Sequence, residues 1–167
     1  SHQNISVKII VSEKHNAKII DIAKKWKLDT LIIPDKFINS TEDILKKTNY
    51  YNINFIVLAG FLIKVPEKFI NSFPKSIINI HPSLLPKFGG KGMYGINVHK
   101  AVLDANDKET GITIHYVNKK FDEGKIIFQA KCQVLKNDSP TSLAKRVQKL
   151  EHQFYPLIIE KIINHGN

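Results

Sequence analysis

Short apolar segments alternate with segments of helical periodicity along this chain, and this alternation most constrains its fold. Phe55–Leu58 is apolar without polar alternation, as expected of a strand that is buried on both faces. The segment 16–26 instead places Ile19, Ile20 and Ala23 on one predicted helical face. Such alternation is typical of an α/β protein in which helices cover both faces of a mostly parallel sheet.

Proline and capping residues set the boundaries of the predicted elements. Pro34 and Pro82 lack the amide hydrogen that a strand ladder needs, so they end the strands before them. Pro66 suits the first turn of a helix, and Ser139 followed by proline opens another. The predicted strands cover residues 5–11, 30–33, 55–58, 76–80, 113–117 and 126–133, and the predicted helices cover 16–26, 40–47, 66–73, 98–105 and a long segment from Ser139.

Composition is that of an ordinary globular protein. Hydrophobic residues make up 43% and charged residues 24% of 167 residues, a length that suits one domain over residues 1–167. The longest apolar run, Phe55–Ile63, is shorter than the roughly 20 residues that cross a bilayer. The sequence shows no secretory signal, and the single Cys132 excludes an internal disulfide. We therefore expect a soluble cytoplasmic protein.

The net charge of +10 raises the question of a nucleic-acid partner. The lysines are scattered over predicted helices and loops without interleaved aromatic residues, which is typical of a solvated surface. A basic surface also attracts phosphorylated or polyglutamylated small molecules. We predict small-molecule substrates and neither a nucleic-acid nor a membrane partner, and the sequence leaves a homodimer open.

Polar side chains with catalytic potential lie at the end of one predicted strand. Asn79 and His81 leave the strand 76–80 on the same face, because side chains alternate along a strand. Further along, Asp122 stands in Phe121–Gly124 and supplies a carboxylate close to a glycine. An amide, an imidazole and a carboxylate together can polarise a carbonyl, hold an oxyanion and collect a proton. These residues therefore suit the transfer of an acyl group to an incoming nucleophile.

The same region resembles the glycinamide ribonucleotide formyltransferases, a folate-dependent formyltransferase family. The resemblance runs from about Ile5 to about Ile163 and is dense from Phe55 onward. It implies a Rossmann-like fold and transfer of a formyl group from 10-formyltetrahydrofolate to the amine of glycinamide ribonucleotide in purine biosynthesis. The strings that carry it are NIHPSLLP from Asn79, GITIHYV from Gly111, FDEGKIIFQA from Phe121 and KRVQKLEH from Lys145.

The resemblance also implies roles for individual residues. Asn79 and His81 would stabilise the tetrahedral oxyanion, while Asp122 would raise the pKa of His81 and accept a proton. Thr113 and His115 would support the pocket. The folate cosubstrate would contact Asn79, Asp122 and two segments, which are Leu62, Ile63, Lys64 and Val65 and then Asn118, Lys119, Lys120 and Phe121. The ribonucleotide would contact Gly60, Gln148 and Glu151.

Three further features complete the predicted site. Ser83 lies in no nucleophile elbow and too near His81 for a catalytic triad, so we predict a turn or capping role. The loop Lys87–Gly95 contains four glycines, and we predict a mobile lid. A metal site is not expected, because the sequence has no cysteine pair and no two histidines at helical ligand spacing with a carboxylate.

The start of the sequence departs from the family pattern. Family members begin with a further strand and a glycine-rich turn that holds the substrate phosphate at a helix N-terminus. This sequence starts at what resembles the second family strand and has no glycine before Gly60. We therefore expect a fragment of a longer chain, lacking the family's first strand and phosphate loop.

Two other functions stay open. A formyltetrahydrofolate hydrolase would share the three catalytic residues, although relatives of that kind carry a second histidine where Pro82 stands. A non-catalytic basic binding homologue that has lost the phosphate loop would instead show salt-sensitive nucleic-acid binding without formyl transfer.

Overall fold

The computed structural model describes residues 5–33 and 40–165. All the predicted elements are present, and the α/β class is confirmed. The largest differences in boundaries are at the first strand, which begins at Ile9 rather than at Ile5, and at the fifth strand, which begins at Glu109 rather than at Thr113. In chain order the elements are β1 (Ile9–Ser12), α1 (Lys18–Lys25), β2 (Asp29–Ile32), α2 (Thr41–Tyr50), β3 (Ile56–Leu58), α3 (Glu67–Ser72), β4 (Ile77–His81), α4 (Ile96–Asp104), β5 (Glu109–Tyr116), β6 (Ile126–Gln133) and α5 (Pro140–His165).

The strands form two hydrogen-bonded groups. β1 pairs in parallel with β2, and β3 pairs in parallel with β4. β4 continues into β5 and β6 through antiparallel pairs, which gives the order β3-β4-β5-β6. Within residues 5–33 and 40–165, no ladder joins the β1–β2 pair to the other four strands. Each parallel pair is connected through a helix, as a parallel pair requires, whereas the antiparallel β5 and β6 are joined by a loop.

Two apolar clusters cover the two faces of β4. One cluster contains Ile77 together with Ile44 of α2 and Phe69 of α3. The other contains Ile78 together with Ile112 of β5 and residues of α5. Because neighbouring strand residues point to opposite faces, this arrangement buries β4 on both sides. The catalytic candidates thus leave from the end of a rigid central strand.

Helix α1 buries a narrower face than its sequence predicts. Ile20 and Ala23 are buried, but Ile19 is 40% exposed, so the prediction that Ile19 shares their face is wrong. Successive residues of a helix with 3.6 residues per turn point about 100° apart, and this short helix contacts its sheet along one narrow stripe. Ile22 and Trp26 are exposed as well.

Helix α5 is the longest element, and its start agrees with the sequence prediction. Ser139 Oγ accepts a hydrogen bond from the Ser142 amide at 3.1 Å, as expected of a residue that opens a helix. Leu143 and Val147 are buried against the sheet. None of the described helices is both long and apolar enough to span a membrane.

Candidate active site

The pairing of β4 with β5 gathers four predicted side chains on one face of the sheet. Asn79 lies opposite His115, and His81 lies opposite Thr113. Residues that are directly opposite in antiparallel strands point to the same face. Strand alternation alone predicts that Asn79 and His81 share a face of β4, and that Thr113 and His115 share a face of β5. The register between the two strands then brings these two sets of side chains together.

Asp122 reaches this face from the loop between β5 and β6. Its Oδ2 lies 3.5 Å from His81 Nδ1, and its Oδ1 lies 3.6 Å from His115 Nε2. Oδ2 also accepts a hydrogen bond from the Gly90 amide at 2.9 Å. Asp122 has a φ of +54°, a left-handed conformation that aspartate and asparagine adopt more readily than other non-glycine residues. The contacts of its carboxylate hold it against both histidines.

Two glycines allow the backbone to bring Asp122 to this position. A Cβ on Gly124 would lie 1.6 Å from the Tyr116 carbonyl oxygen, so only glycine fits there. A Cβ on Gly89 would lie 2.5 Å from Leu85 Cδ2 and 3.2 Å from Asp122 Cβ. The glycines beside the carboxylate thus permit close packing of the two loops that meet at the site.

His81 is engaged by a backbone group of the glycine-rich loop. Its Nε2 lies 2.8 Å from the Phe88 carbonyl oxygen. Because a carbonyl oxygen only accepts, Nε2 carries the hydrogen and donates it. Phe88 has a φ of +55°. The Gly90 amide of the same loop donates a hydrogen bond to Asp122, so two backbone groups of the loop bind two of the catalytic candidates, His81 and Asp122. A mobile lid over the pocket stays a prediction.

The pKa of His81 is lowered from its ordinary value. Burial is the largest cause, and His115 acts in the same direction, while the Asp122 carboxylate and the Phe88 carbonyl oppose it. The contact with Asp122 thus raises the pKa of His81, as predicted, but burial outweighs it.

The pKa of Asp122 is also lowered. Burial raises it, but the contact with His115, the Gly90 amide and the charges of both histidines together outweigh burial. The ionised form of the Asp122 carboxylate is therefore favoured. A carboxylate in that form can accept a proton, and His81 Nε2, which carries a hydrogen, can donate it in a hydrogen bond.

A buried hydrogen-bond network fixes the turn after β4. Thr113 Oγ1 donates to the Ser83 carbonyl at 2.7 Å and accepts from the Leu85 amide at 2.9 Å. Gln129 Nε2 donates to Thr113 Oγ1 at 2.9 Å and to the Leu85 carbonyl at 3.0 Å. Ser83 Oγ donates to the Lys87 carbonyl at 2.6 Å, which confirms its predicted turn role. Thr113 therefore fixes this turn, and its supporting role in the site stays a prediction.

Gln129 is a residue that the sequence analysis missed. It lies in the string FDEGKIIFQA that carries the resemblance, but its contact with Thr113 comes from its place directly opposite that residue across the β5–β6 pair. That register cannot be read from the local pattern.

The two segments predicted to contact folate lie on the same side of the molecule. Ile63 and Val65, after β3, share an apolar cluster with Val117, which precedes the second segment. Leu62 and Lys64 are exposed. A cavity of about 410 Å³ lies between α3 and the second segment, and Asn118, Lys119 and Lys120 contribute to its wall. Phe121 borders solvent at 36% exposure.

The residues predicted to contact the ribonucleotide lie near the junction of α5 and β3. Tyr155 Oη donates to the Leu58 carbonyl at 2.8 Å, which ties α5 to the strand that leads to Gly60. Glu151 lies one helical turn before Tyr155, and its pKa is raised because it is partly buried, with His152 opposing the shift. Gln148 is exposed.

Gly60 and Tyr155 each add a finding. Gly60 has a φ of +65° and open space where a Cβ would stand, so its backbone conformation rather than packing requires glycine. Tyr155 is buried and is not among the residues singled out from the sequence, because its contact with β3 depends on how α5 packs. Among residues 5–33 and 40–165, no group of three or more His, Cys, Asp or Glu could hold a metal ion.

Comparison with known proteins identifies the family. A family model described as formyl transferase matches residues 1–159. The chloroplastic phosphoribosylglycinamide formyltransferase of Arabidopsis thaliana is 48% identical over 120 residues, which are 72% of this chain and 40% of that protein. The phosphoribosylglycinamide formyltransferase of Bacillus subtilis is 30% identical over 166 residues, which are 97% of this chain and 83% of that protein.

A solved structure gives the same result for the fold. The phosphoribosylglycinamide formyltransferase of Anaplasma phagocytophilum has a TM-score of 0.88 and 33% identity, covering 97% of this chain and 76% of that chain. This likeness confirms the predicted formyltransferase fold. The chain spans less than half the length of the Arabidopsis relative and most of the Bacillus relative. Because the family model matches nearly all of it, the chain belongs to the formyl transferase family.

Proposed function

We propose that this chain transfers a formyl group from 10-formyltetrahydrofolate to the amine of glycinamide ribonucleotide, a step of purine biosynthesis. The observation that carries the proposal is the convergence of Asn79, His81 and Asp122 at the end of β4. Relatives named phosphoribosylglycinamide formyltransferase support the choice of the amine substrate.

The chemistry follows from the donors and acceptors of these side chains. The substrate amine attacks the formyl carbon, and negative charge develops on the formyl oxygen. Asn79 Nδ2 has two hydrogens, so one remains for this oxyanion while the other meets His115. Asp122, ionised beside the two histidines, accepts the amine proton directly or through a water molecule.

His81 is the second donor to the oxyanion in this proposal. Its Nε2–H is bound to the Phe88 carbonyl, so it becomes free for the formyl oxygen when that backbone group moves away. The movement can be small, because hydrogen bonds weaken steeply with distance and angle. The lid predicted at Lys87–Gly95 would thereby couple its position to the donor set of the site.

The substrate-binding residues are proposed on the same basis. A flat pterin ring has donors and acceptors along one edge, which suits the backbone groups of Leu62–Val65 above an apolar cluster. The segment Asn118–Phe121 provides the other side. Gly60, Gln148 and Glu151 are proposed to contact the ribonucleotide. Burial disfavours the ionised form of Glu151, so a substrate group that donates to its carboxylate would stabilise that form.

We further propose that residues 1–167 act as one formyltransferase domain on small molecules, in the cytoplasm and without metal, nucleic acid or membrane. The Arabidopsis relative is by its name chloroplastic, so fractionation of the native cells would test the compartment. Sedimentation at several concentrations would distinguish a monomer from the homodimer that the sequence leaves open.

The test is formyl transfer from 10-formyltetrahydrofolate to glycinamide ribonucleotide, measured with and without the amine. Amine-dependent release of tetrahydrofolate is the expected result. Folate release that is equally fast without the amine would favour the hydrolase instead. Absence of both reactions in the folded chain would contradict the proposal.

A further inference from the structure

His115 occupies a central place in the site, between the amide and the carboxylate. Its Nε2 lies 3.2 Å from Asn79 Nδ2 and 3.6 Å from Asp122 Oδ1. The side chain is 3% exposed and is held in β5 by pairing with both neighbouring strands. A ring so enclosed has little freedom, so its hydrogen-bonding pattern constrains the groups around it.

The pattern at the other ring nitrogen fixes the tautomer. His115 Nδ1 lies 2.9 Å from the Tyr116 carbonyl oxygen. This oxygen can only accept, so Nδ1 carries a hydrogen and donates it. Asp122 Oδ1, 3.6 Å from Nε2, lies beyond hydrogen-bond distance, whereas Asn79 Nδ2 lies within it. With the ring hydrogen on Nδ1, Nε2 therefore has a lone pair that accepts from Asn79.

We propose that His115 is a positioning residue that sets the rotation of the Asn79 amide. The lone pair on Nε2 accepts one N–H from Asn79 Nδ2. A half-turn of the amide would place Asn79 Oδ1 against that lone pair, where two acceptors repel. His115 thereby keeps Nδ2 in place and directs its second N–H to where the formyl oxyanion develops.

The proposal rests on the proposed formyl transfer and predicts which kinetic constant changes. His115 acts through Asn79, and the hydrogen bond that Asn79 gives to the oxyanion is strongest in the transition state. Losing an interaction of this kind lowers kcat and kcat/KM together and leaves KM nearly unchanged. A residue that only fills space would change stability without this kinetic signature.

Two substitutions distinguish the roles of the two ring nitrogen atoms of His115. His115→Gln can place an amide oxygen where Nε2 stands, so it keeps an acceptor for Asn79. His115→Asn can place a donor where Nδ1 stands, but it is too short to accept from Asn79. Both remove the ring and both are amides of similar polarity, which makes them matched controls for each other.

We expect His115→Asn to lose about 10² in kcat, the scale of one oxyanion donor, with little change in KM. His115→Gln should retain kcat within about tenfold of the parent, which is the rescue expected of a retained acceptor. Unfolding midpoints of both variants correct the rates for the folded fraction. A parent-like kcat in His115→Asn, or equal losses in both variants, would overturn the proposal.

A second measurement needs no activity. Nitrogen NMR of the folded, ¹⁵N-histidine-labelled chain reports which nitrogen of His115 is protonated, with His115→Gln assigning the signal. Protonation at Nδ1 with a free Nε2 is the expected result, whereas protonation at Nε2 would overturn the proposal. If the parent transfers no formyl group, the proposed function fails, and this spectrum still decides the positioning role.

Discussion

The proposed catalytic end of the four-stranded sheet consists of Asn79 and His81 on β4, Thr113 and His115 on β5, and the Asp122 loop. This catalytic end and the unit β1–α1–β2 are built differently. β5 and β6 are each eight residues long. The buried side chains of the catalytic end include hydrogen-bonded polar groups such as Thr113. β1 and β2 have four residues each. In that unit Val11 is 40%, Ile22 50% and Trp26 71% exposed.

The difference shows where the structure constrains its sequence. At the catalytic end, a long ladder and a buried polar network fix each side chain from several directions, so single changes should have large effects. The β1–α1–β2 unit relies on a short parallel pair and a narrow buried stripe. Many of its positions should tolerate substitution, and the following variants test this contrast from the largest expected effect to the smallest.

Asp122→Asn should lower kcat by about 10² or more, because the amide cannot accept a proton as the carboxylate does. The fold should persist, since asparagine tolerates the left-handed backbone found at this position. Rates of formyl transfer and an unfolding midpoint measure the two effects. Glu123→Gln is the matched control, because Glu123 is exposed and pairs with Lys120 at the surface. A near-parent rate in Asp122→Asn would refute its catalytic role.

Gly124→Ala should destabilise the fold by about 3 kcal/mol or more, because the new Cβ collides with the Tyr116 carbonyl. Gly92→Ala is the comparison, since Gly92 has a φ of +88° but open space around a Cβ. Its cost should be about 1–2 kcal/mol, from backbone conformation alone. Urea unfolding of both variants gives the difference. Equal losses would mean that the contact at Gly124 relaxes.

Thr113→Val should cost about 2 kcal/mol, because it leaves the buried Leu85 amide and Ser83 carbonyl without their partner. Thr110→Val lies on the same strand and is the control. Thr110 is buried, and its Oγ1 has no hydrogen-bond partner among the described residues, so valine should be neutral or stabilising there. Denaturant midpoints decide. A larger loss in Thr110→Val would contradict the network at the turn.

Acidification should destabilise the catalytic end. The pKa of His81 is lowered, mainly by burial, and that of His99 is lowered by burial and by the charge of His81. The unfolded chain therefore binds more protons below about pH 6.5, so the free energy of unfolding falls as the pH drops through this range.

The pKa of Asp122 is also lowered, so the free energy of unfolding continues to fall in the acidic range where an ordinary carboxylate is protonated. Urea titrations from neutral to acidic pH measure this slope. His99→Gln should make the slope near pH 6 shallower, since it removes one of the two imidazoles whose pKa is lowered. Stability that is constant or rises on acidification through pH 6 would contradict the assignment.

Ile22→Lys in α1 should change stability by less than about 0.5 kcal/mol, because half of this side chain is exposed. Ile20→Lys, two positions earlier on the buried stripe, should be clearly destabilising, since it buries a charge. Thermal or urea unfolding compares them. A large loss in Ile22→Lys would show that the outer face of α1 is covered in solution and would weaken the contrast between the two regions.

Much of the fold and the three catalytic candidates could be predicted from the sequence. Apolar periodicity and proline positions are local properties, so they predicted the order of strands and helices. Strand alternation alone placed Asn79 and His81 on one face. The resemblance of whole segments then pointed to Asp122 and to the formyl transferase family, which the comparisons show.

Other features needed the tertiary structure, because they depend on contacts between residues far apart in sequence. The β4–β5 register alone sets Asn79 against His115, and the β5–β6 register alone gives Thr113 its partner Gln129. Tyr155 contacts β3 only because α5 folds back onto the sheet. The net lowering of the His81 pKa likewise reflects burial, which outweighs the neighbouring carboxylate. Sequence determined which groups are available, and packing decided their distances and protonation.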